Sequence, residues 1–292
     1  MIRIHADCLS LPSIAESGQC FRWERRRDGY RIVAMDRVLF VRQGPGREET
    51  EFSCSPEEFD RVWKNYFDLD TDYLSIIRAI PGEDAYLRAA AAYGQGIRIL
   101  RQDPWETLVT FILSQRKNIP AIRQAVEKLC AACGKKIGED EKGFLYAFPS
   151  PEELVRLDES ALRSLGLGYR APYIRRTAEA FSGPKRMDQL CSLNDRDLLE
   201  ELCSFYGVGR KIALCTMLFG FHRMNAFPVD VWMGRIAEKR YPQGIPTEKY
   251  FPWAGVMQQY MFAYERHLAE KAPKNIPHRK TVMSNEERRS FS

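Results

Sequence analysis

The residues best suited to chemistry lie within residues 202–219 and shortly after them. An apolar helical pattern is interrupted by Gly207-Val208-Gly209, and a second helical pattern begins at once. The glycines allow a sharp turn that leaves backbone N–H groups uncovered at a helix N-terminus, where a phosphate can bind. The same glycines could serve only as helix caps, so the turn by itself does not establish a binding site.

Lys211 follows Gly209 by two residues, in the first turn of an otherwise apolar helix. The positive end of the helix dipole and partial burial both disfavour an ammonium group, which is the condition for a nucleophilic amine. A lysine here could instead bind a phosphate or remain solvated on the surface. The position therefore makes Lys211 a candidate nucleophile.

Asp230 lies in Phe227-Pro228-Val229-Asp230 and opens another apolar helix. Its simplest role is that of an N-cap, which is common for aspartate. A carboxylate that also points toward Lys211 could steer charge at a reacting sugar. The two residues thus form a candidate catalytic pair.

Two kinds of element must position these residues. The first eighty or so residues look β-rich, with strand-like segments at 29–35 and 37–42, and Ser55-Pro56 begins a helix. Beyond Pro81 the pattern is helical, and the predicted helices are 83–93, 103–115, 119–133, 151–156, 159–165, 172–181, 195–205, 209–220, 230–240 and 248–269. We therefore expect an α+β fold, with an antiparallel β-sheet domain at residues 1–82. A helical domain at 83–270 and a flexible basic tail at 271–292 would follow.

The composition excludes several classes of protein. The 292 residues are 45% hydrophobic and 28% charged, and mean hydropathy is −0.41. No apolar run approaches the roughly 18 residues of a membrane span, and residues 1–11 show no secretory signal. The net charge of +5 permits a polyanionic partner without requiring one.

The eight cysteines do not form a recognisable metal motif. Cys130 and Cys133 have zinc-like spacing, but no second pair completes four ligands, and they end an amphipathic helical run. An iron–sulfur cluster needs four closely grouped cysteines, and none follows Cys215. We therefore expect reduced thiols and no metal site.

These residues together resemble a known family. The hairpin Leu202-x4-Gly207-Val208-Gly209-x-Lys211, followed by Pro228-Val229-Asp230, is similar to the helix-hairpin-helix Gly-Pro-Asp signature of base-excision DNA glycosylases. The lysine is that of the bifunctional branch, which combines glycosylase and abasic-site lyase activities. Segments 17–23, 101–106, 111–115 and 165–171 resemble motifs of the 8-oxoguanine DNA glycosylases. The resemblance covers about residues 10–268, and it implies that the helical domain has two lobes.

The resemblance implies a mechanism. The damaged nucleotide is flipped out of the duplex, and Lys211 attacks C1′ and displaces 8-oxoguanine. The sugar–lysine adduct becomes a Schiff base, and β-elimination nicks the strand. Asp230 stabilises the positive transition state and orients Lys211. No cofactor is required, although a monovalent or divalent cation could bridge the hairpin to a DNA phosphate.

The resemblance also implies how the base is recognised. The carbonyl of Gly18 accepts a hydrogen bond from N7–H, which 8-oxoguanine has and guanine lacks. Phe262 stacks on the flipped base and Gln258, one helical turn before it, bonds the Watson–Crick edge. Cys215 lies on the opposite side of the base. Alternatively, Gly18 merely forms a turn, and Phe262 and Cys215 are core residues.

Other segments are implied to contact the DNA itself. Tyr169 wedges into the duplex and Arg170 contacts the orphaned cytosine. The hairpin at 207–209 holds phosphate. The gap left by the flipped base is filled by the loop residues Gln115, Arg116, Lys117 and Asn118.

The chain departs from the pattern of the animal and fungal enzymes at three places. Their gap-filling loop is asparagine-rich, whereas this one reads Gln115-Arg116-Lys117-Asn118, so Arg116 or Gln115 would enter the gap. Ala121 replaces a further arginine that grips the cytosine, which predicts a relaxed preference for the base opposite the lesion. Trp232 replaces a histidine expected two residues after the aspartate, which leaves open how Asp230 and the 5′ phosphate are held.

Two rival functions remain. One is a related glycosylase for another damaged base, such as thymine glycol or an alkylated purine. The other is a non-catalytic hairpin module, which would explain Gly207 and Gly209 but not Lys211, Asp230 and Gly18 together. For the favoured function we expect double-stranded DNA containing 8-oxoguanine as the partner, a monomer, and no membrane association. The expected location is the cytoplasm or nucleoid of a bacterium or archaeon, or the nucleus of a eukaryote.

Overall fold

The computed structural model describes residues 1–44, 49–183 and 186–271. Except for Lys271, the predicted basic tail lies outside the described residues. Within the described ranges, five strands form one antiparallel sheet in the order β1-β5-β4-β3-β2. The strands of this sheet are Ile2–His5 (β1), Trp23–Arg26 (β2), Gly29–Ala34 (β3), Arg37–Gln43 (β4) and Glu49–Phe52 (β5).

The sheet encloses its own hydrophobic core. In the register of β3 and β4, Ile32 lies opposite Leu39, and both side chains are fully buried. They pack with Trp23, Phe52 and Trp63 in one cluster. Because each such side chain contributes about 1.5–3 kcal/mol when buried, alternation of apolar and polar residues specifies which face of the sheet turns inward.

The rest of the described chain is mostly helical, which confirms the predicted α+β class. The α-helices are Leu11–Glu16 (α1), Pro56–Glu58 (α2), Lys64–Tyr66 (α3), Tyr73–Arg78 (α4), Ala85–Gly94 (α5), Pro104–Ser114 (α6), Ile119–Cys133 (α7), Pro151–Val155 (α8), Glu159–Leu162 (α9), Ala171–Phe181 (α10), Arg186–Ser192 (α11), Asp195–Ser204 (α12), Arg210–Phe219 (α13), Val231–Arg240 (α14) and Ala254–Lys271 (α15). Short π or 3-10 turns lie at Phe59–Trp63, Arg163–Leu167, Gly168–Arg170 and Thr247–Tyr250.

Helix α6 is the centre of the helical core. Its N-cap is Asp103, whose side chain accepts a hydrogen bond from the Glu106 N–H over 2.7 Å, and the helix begins at Pro104, which fits the first helical position. Its residues from Leu108 to Leu113 are buried. Helix α13 packs against it, and this contact places the first turn of α13 beside Phe111.

The structure differs from the sequence-based expectations in several elements. The region after Pro81 is not helical throughout, because Lys136–Asp140 (β6) and Gly143–Tyr146 (β7) pair as a β-hairpin. Helices α1, α4 and α11 were not predicted. The predicted helix at 248–269 begins only at Ala254, since Pro252 lacks an N–H group and cannot continue a helix interior.

Buried arginines join the sheet to the helices. Arg98 donates to the carbonyl oxygens of Cys8 (3.0 Å), Asp68 (2.7 Å) and Asp7 (2.7 Å). Arg22 in turn pairs with Glu127 of α7 over 3.0 Å. Charge-assisted bonds of this kind are stronger than neutral ones, so they hold the segment around Gly18 against the helical core.

Candidate active site

One cavity of about 470 Å³ gathers most of the predicted site residues. It opens between the end of α1, the loop after α6, the first turns of α13 and α14, and the middle of α15. Predicted residues that line it are Gly18, Lys117, Asn118, Lys211, Cys215, Asp230, Gln258 and Phe262. The other predicted residues, which lie outside its lining, are Gln115, Arg116, Tyr169, Arg170, Gly207, Val208 and Gly209.

Lys211 is half-buried in the first turn of α13. Its Nζ lies 5.1 Å from the centroid of the Phe111 ring. Burial raises the pKa of the Cys215 thiol to about 11, although the charge of Lys211 and its hydrogen bond act in the opposite direction. Cys215 is therefore a neutral thiol beside the lysine at neutral pH.

Asp230 caps α14, as the sequence predicts. Its Oδ1 accepts the Met233 N–H over 2.9 Å. The residue is half-buried and lines the same cavity as Lys211. Asp230 therefore uses one carboxylate oxygen as the helix cap while it also lines the cavity.

Gly18 follows the last turn of α1 in a left-handed conformation, with φ of +78°. A side chain here would be strained, although a Cβ would meet the Phe262 ring only at 3.6 Å. The turn is held by the buried Gln19, which sequence analysis did not single out. Its Nε2 donates to the Arg98 carbonyl over 2.9 Å and its Oε1 accepts the Leu100 N–H over 2.8 Å. A polar residue between the apolar positions of segment 17–23 was the available signal.

Helix α15 contributes Gln258, Gln259, Phe262 and Arg266 to the cavity wall. Gln258 is buried, and Phe262 lies one turn later on the same face, half-buried. Gln259 was not predicted. It is also buried, lines the cavity, and donates from Nε2 to Oε1 of Gln258 over 2.9 Å.

The hairpin between α12 and α13 has the predicted form. Gly207 has φ of +83°, and a Cβ there would lie 2.3 Å from the ring of Tyr173. Glycine is therefore required both by the backbone conformation and by the close approach of the ring. Val208 is buried, and Gly209 precedes α13 with no side-chain cap, so first-turn N–H groups remain available to a ligand.

The loop after α6 lies next to this hairpin. Gln115 donates from Nε2 to the Gly207 carbonyl over 3.1 Å. Arg116 is exposed, with a left-handed φ of +52°. Burial lowers the pKa of Lys117, and the charges of Arg170 and Lys128 add to this shift. Asn118 caps α7 by accepting the Ala121 N–H over 3.0 Å.

Tyr169 and Arg170 differ in accessibility. Tyr169 is 41% exposed, but Arg170 is buried and donates to the carbonyl oxygens of Gln115 and Leu167. The guanidinium carbon of Arg170 is 4.3 Å from the Tyr169 ring centroid. Contact between Arg170 and a DNA base would thus require the side chain to change its partners.

Two negative findings apply to the described ranges. Among these residues, there is no group of three or more His, Cys, Asp or Glu side chains that could hold a metal ion. Their helices also include none with the length and apolar character needed to cross a bilayer.

Family models and a curated relative both relate this chain to DNA glycosylases. Residues 1–108 match the family model for the 8-oxoguanine DNA glycosylase N-terminal domain, and residues 109–250 match that for the HhH-GPD superfamily of base excision DNA repair proteins. An N-glycosylase/DNA lyase of Saccharomyces cerevisiae is 33% identical, with 82% of this chain and 70% of the yeast protein covered.

Solved structures show the same relationship. An 8-oxoguanine glycosylase/lyase of Clostridium acetobutylicum, in complex with DNA containing cytosine opposite 8-oxoguanine, superposes with a TM-score of 0.83 and 34% identity, covering 90% of this chain and 93% of that one. The structure of MBOgg1 in complex with a low-affinity DNA ligand superposes with a TM-score of 0.85 and 37% identity, and the match covers 91% of this chain and 96% of that one. The chain therefore belongs to the 8-oxoguanine DNA glycosylase family, within the helix-hairpin-helix superfamily of base excision DNA repair proteins.

Proposed function

We propose that this chain removes 8-oxoguanine from duplex DNA with Lys211 as the nucleophile and then cleaves the abasic site as a lyase. The observation that carries this proposal is the meeting of Lys211, Asp230 and Gly18 around one cavity of about 470 Å³. This is a suitable volume for a single flipped base. A non-catalytic hairpin module would need the hairpin but not this cavity.

The reaction follows from the positions of two side chains. The unprotonated amine of Lys211 attacks C1′ of the flipped nucleotide, and the bond from C1′ to N9 breaks, so its electron pair leaves with the base, which takes up the proton that the attacking nitrogen loses. The sugar ring then opens: the bond from C1′ to O4′ breaks, O4′ takes a proton from water, and C1′ and the lysine nitrogen form a protonated Schiff base. Loss of a C2′ proton expels the 3′ phosphate by β-elimination and nicks the strand. The carboxylate of Asp230 stabilises the positive charge that develops on the sugar.

Base recognition would use groups on opposite sides of the cavity. The Gly18 carbonyl would accept N7–H of the lesion, and Gln258 would bond its Watson–Crick edge. The ring of Phe262 and the neutral thiol of Cys215 would enclose the base plane. Arg266 supports Phe262, since its guanidinium carbon is 5.5 Å from that ring centroid and it donates to the Glu16 carbonyl over 3.0 Å.

Contacts with the duplex would come from the surrounding turns. The exposed Tyr169 would act as the wedge, with Arg170 reaching the orphaned base once released. The loop residues Gln115, Arg116, Lys117 and Asn118 would fill the gap. Backbone N–H groups of the hairpin at 207–209 would hold a phosphate.

A cation bridging the hairpin to a DNA phosphate would be bound by main-chain carbonyl oxygens. The carbonyl of Gly207 already accepts Gln115, and that of Phe205 accepts the Val208 N–H, so each retains one free lone pair. The chemistry at C1′ does not depend on this cation. We further propose that the chain acts as a monomer on chromosomal DNA, in the cytoplasm or nucleoid, or in the nucleus of a eukaryote.

The proposed function is tested by borohydride trapping on three duplexes that are identical except at one position, which carries 8-oxoguanine, guanine or thymine glycol. We expect a covalent protein–DNA adduct with 8-oxoguanine and none with guanine. An adduct formed preferentially with thymine glycol would favour the rival substrate. If the protein slows the migration of the DNA in a gel but never becomes covalently linked to it, the non-catalytic module would be favoured.

Asp230→Asn is expected to lower excision about 10²-fold with little change in the melting temperature. Asparagine caps a helix as well as aspartate does, so the variant removes only the carboxylate charge. Single-turnover excision and thermal unfolding measure the two effects separately. Asp230→Ala, which loses the cap as well, is the control for stability. Unchanged excision in Asp230→Asn would contradict the electrostatic role.

Excision of 8-oxoguanine opposite each of the four bases is expected to vary by less than about tenfold. A bidentate arginine contact discriminates by about 1–3 kcal/mol, and Ala121 supplies none. Ala121→Arg should restore part of the cytosine preference. A wild-type preference as sharp as that of the animal enzymes would contradict this expectation.

A further inference from the structure

Two neighbouring glutamines form a buried amide pair in the cavity wall. Gln258 and Gln259 are each 4% exposed, and Nε2 of Gln259 donates to Oε1 of Gln258 over 2.9 Å. Burial of an amide is costly unless its groups are hydrogen-bonded. Within the described residues, Oε1 of Gln259 has no hydrogen-bond donor. Packing alone therefore does not explain the presence of the second amide at this position.

The contact determines which end of Gln258 is available to a ligand. An amide oxygen accepts hydrogen bonds, and an amide nitrogen donates them. Because Oε1 of Gln258 is turned to Gln259, Nε2 is the end left for the cavity, and it bonds to none of the described residues. A donor at this point fits a carbonyl oxygen on the edge of a base, such as O6 of an oxidised guanine. It conflicts with the amino group that an adenine carries at the same place.

We propose that Gln259 is a positioning residue for base recognition, which fixes the amide orientation of Gln258 so that the cavity selects a flipped purine with a 6-carbonyl group. This inference rests on the proposed function, because it takes the flipped base to enter this cavity. Within the described residues, the side-chain amide of Gln259 makes a single hydrogen bond, the one to Gln258. A change at Gln259 should therefore change what Gln258 presents.

The test compares the binding of two duplexes by each of three proteins. The duplexes are identical except for 8-oxoguanine or 8-oxoadenine, each opposite cytosine. The proteins are Lys211→Gln, which leaves the bound base intact, and the same variant with Gln259→Glu or Gln259→Met added. Fluorescence anisotropy at pH 8 gives the ratio of the two Kd values for each protein. A general loss of affinity or folding cancels in this ratio.

The two substitutions at Gln259 have different expected effects. An ionised carboxylate only accepts, so Gln258 would turn Nε2 toward it and present Oε1 to the base. Gln259→Glu is therefore expected to lower the preference for 8-oxoguanine about tenfold. Gln259→Met has the same length but no hydrogen bond, and should lower the preference by a smaller factor. A change below about threefold in Gln259→Glu overturns the inference.

Failure of the proposed function would be visible elsewhere. It would show as absence of excision and of a borohydride adduct in the wild-type chain, neither of which the binding comparison uses.

Discussion

Lys211→Gln is expected to lower excision of 8-oxoguanine at least about 10⁴-fold and to abolish the borohydride adduct. The glutamine amide nitrogen is not nucleophilic and cannot form a Schiff base. Binding of the lesion duplex should persist, because the phosphate contacts are proposed to come from the hairpin and from the N-terminus of α13, which has no side-chain cap. Single-turnover excision, adduct gels and fluorescence anisotropy measure the three quantities on one preparation.

Lys117→Gln is the matched control for this experiment. Lys117 also lines the cavity, and burial lowers the pKa of its amine. It is the other lysine among the described lining residues that could react with an aldehyde. Trapping should persist in Lys117→Gln. An adduct that survives in Lys211→Gln and disappears in Lys117→Gln would move the nucleophile to the loop after α6.

Gly207→Ala is expected to destabilise the protein by about 4 kcal/mol and to weaken DNA binding. The left-handed backbone at φ of +83° strains any side chain, and the new Cβ would lie 2.3 Å from the Tyr173 ring. The hairpin must shift to relieve this overlap, which also displaces the N–H groups of the phosphate site. Urea unfolding gives the stability change, and anisotropy gives the affinity.

Gly209→Ala is the control within the same hairpin. Gly209 has an ordinary negative φ of −91°, and a Cβ there meets no atom within 4 Å. Gly209→Ala should lower the free energy of unfolding by less than about 1 kcal/mol. The double variant Gly207→Ala/Tyr173→Ala tests the role of the ring. Its loss of unfolding free energy should be at least about 1 kcal/mol smaller than the sum of the losses in the two single variants. Additive losses would show that the ring is not the obstacle.

Local signals in the sequence were sufficient for much of the fold. Helices with clear caps, such as α6 after Asp103 and α14 after Asp230, begin within a residue of their predicted starts. The β6–β7 hairpin was missed because its few apolar positions follow no long alternation, and its strands become stable only by pairing. Pro252 was a signal against a continuous helix at 248–269 that the apolar periodicity obscured.

The sequence predicted the candidate site only where the type and spacing of a residue indicate its chemistry. Lys211 and Asp230 did so by type and spacing, and the cavity brings them together. Gln19 and Gln259 did not, because a glutamine acquires its importance from partners that are distant in sequence or from its burial. The burial of Arg170 depends on a carbonyl 55 residues away, which no local pattern records.

The contacts of Gln115 have a consequence for how the protein searches DNA. Its side chain donates a hydrogen bond to the Gly207 carbonyl of the hairpin, and its own carbonyl accepts one from Arg170. Three turns that are proposed to face DNA are thus tied to one another before any ligand arrives. The conformational entropy of ordering these turns is then lost once, during folding, rather than at every encounter. A protein that must inspect many undamaged pairs for each lesion gains speed from such pre-organisation, since brief contacts suffice to probe each pair.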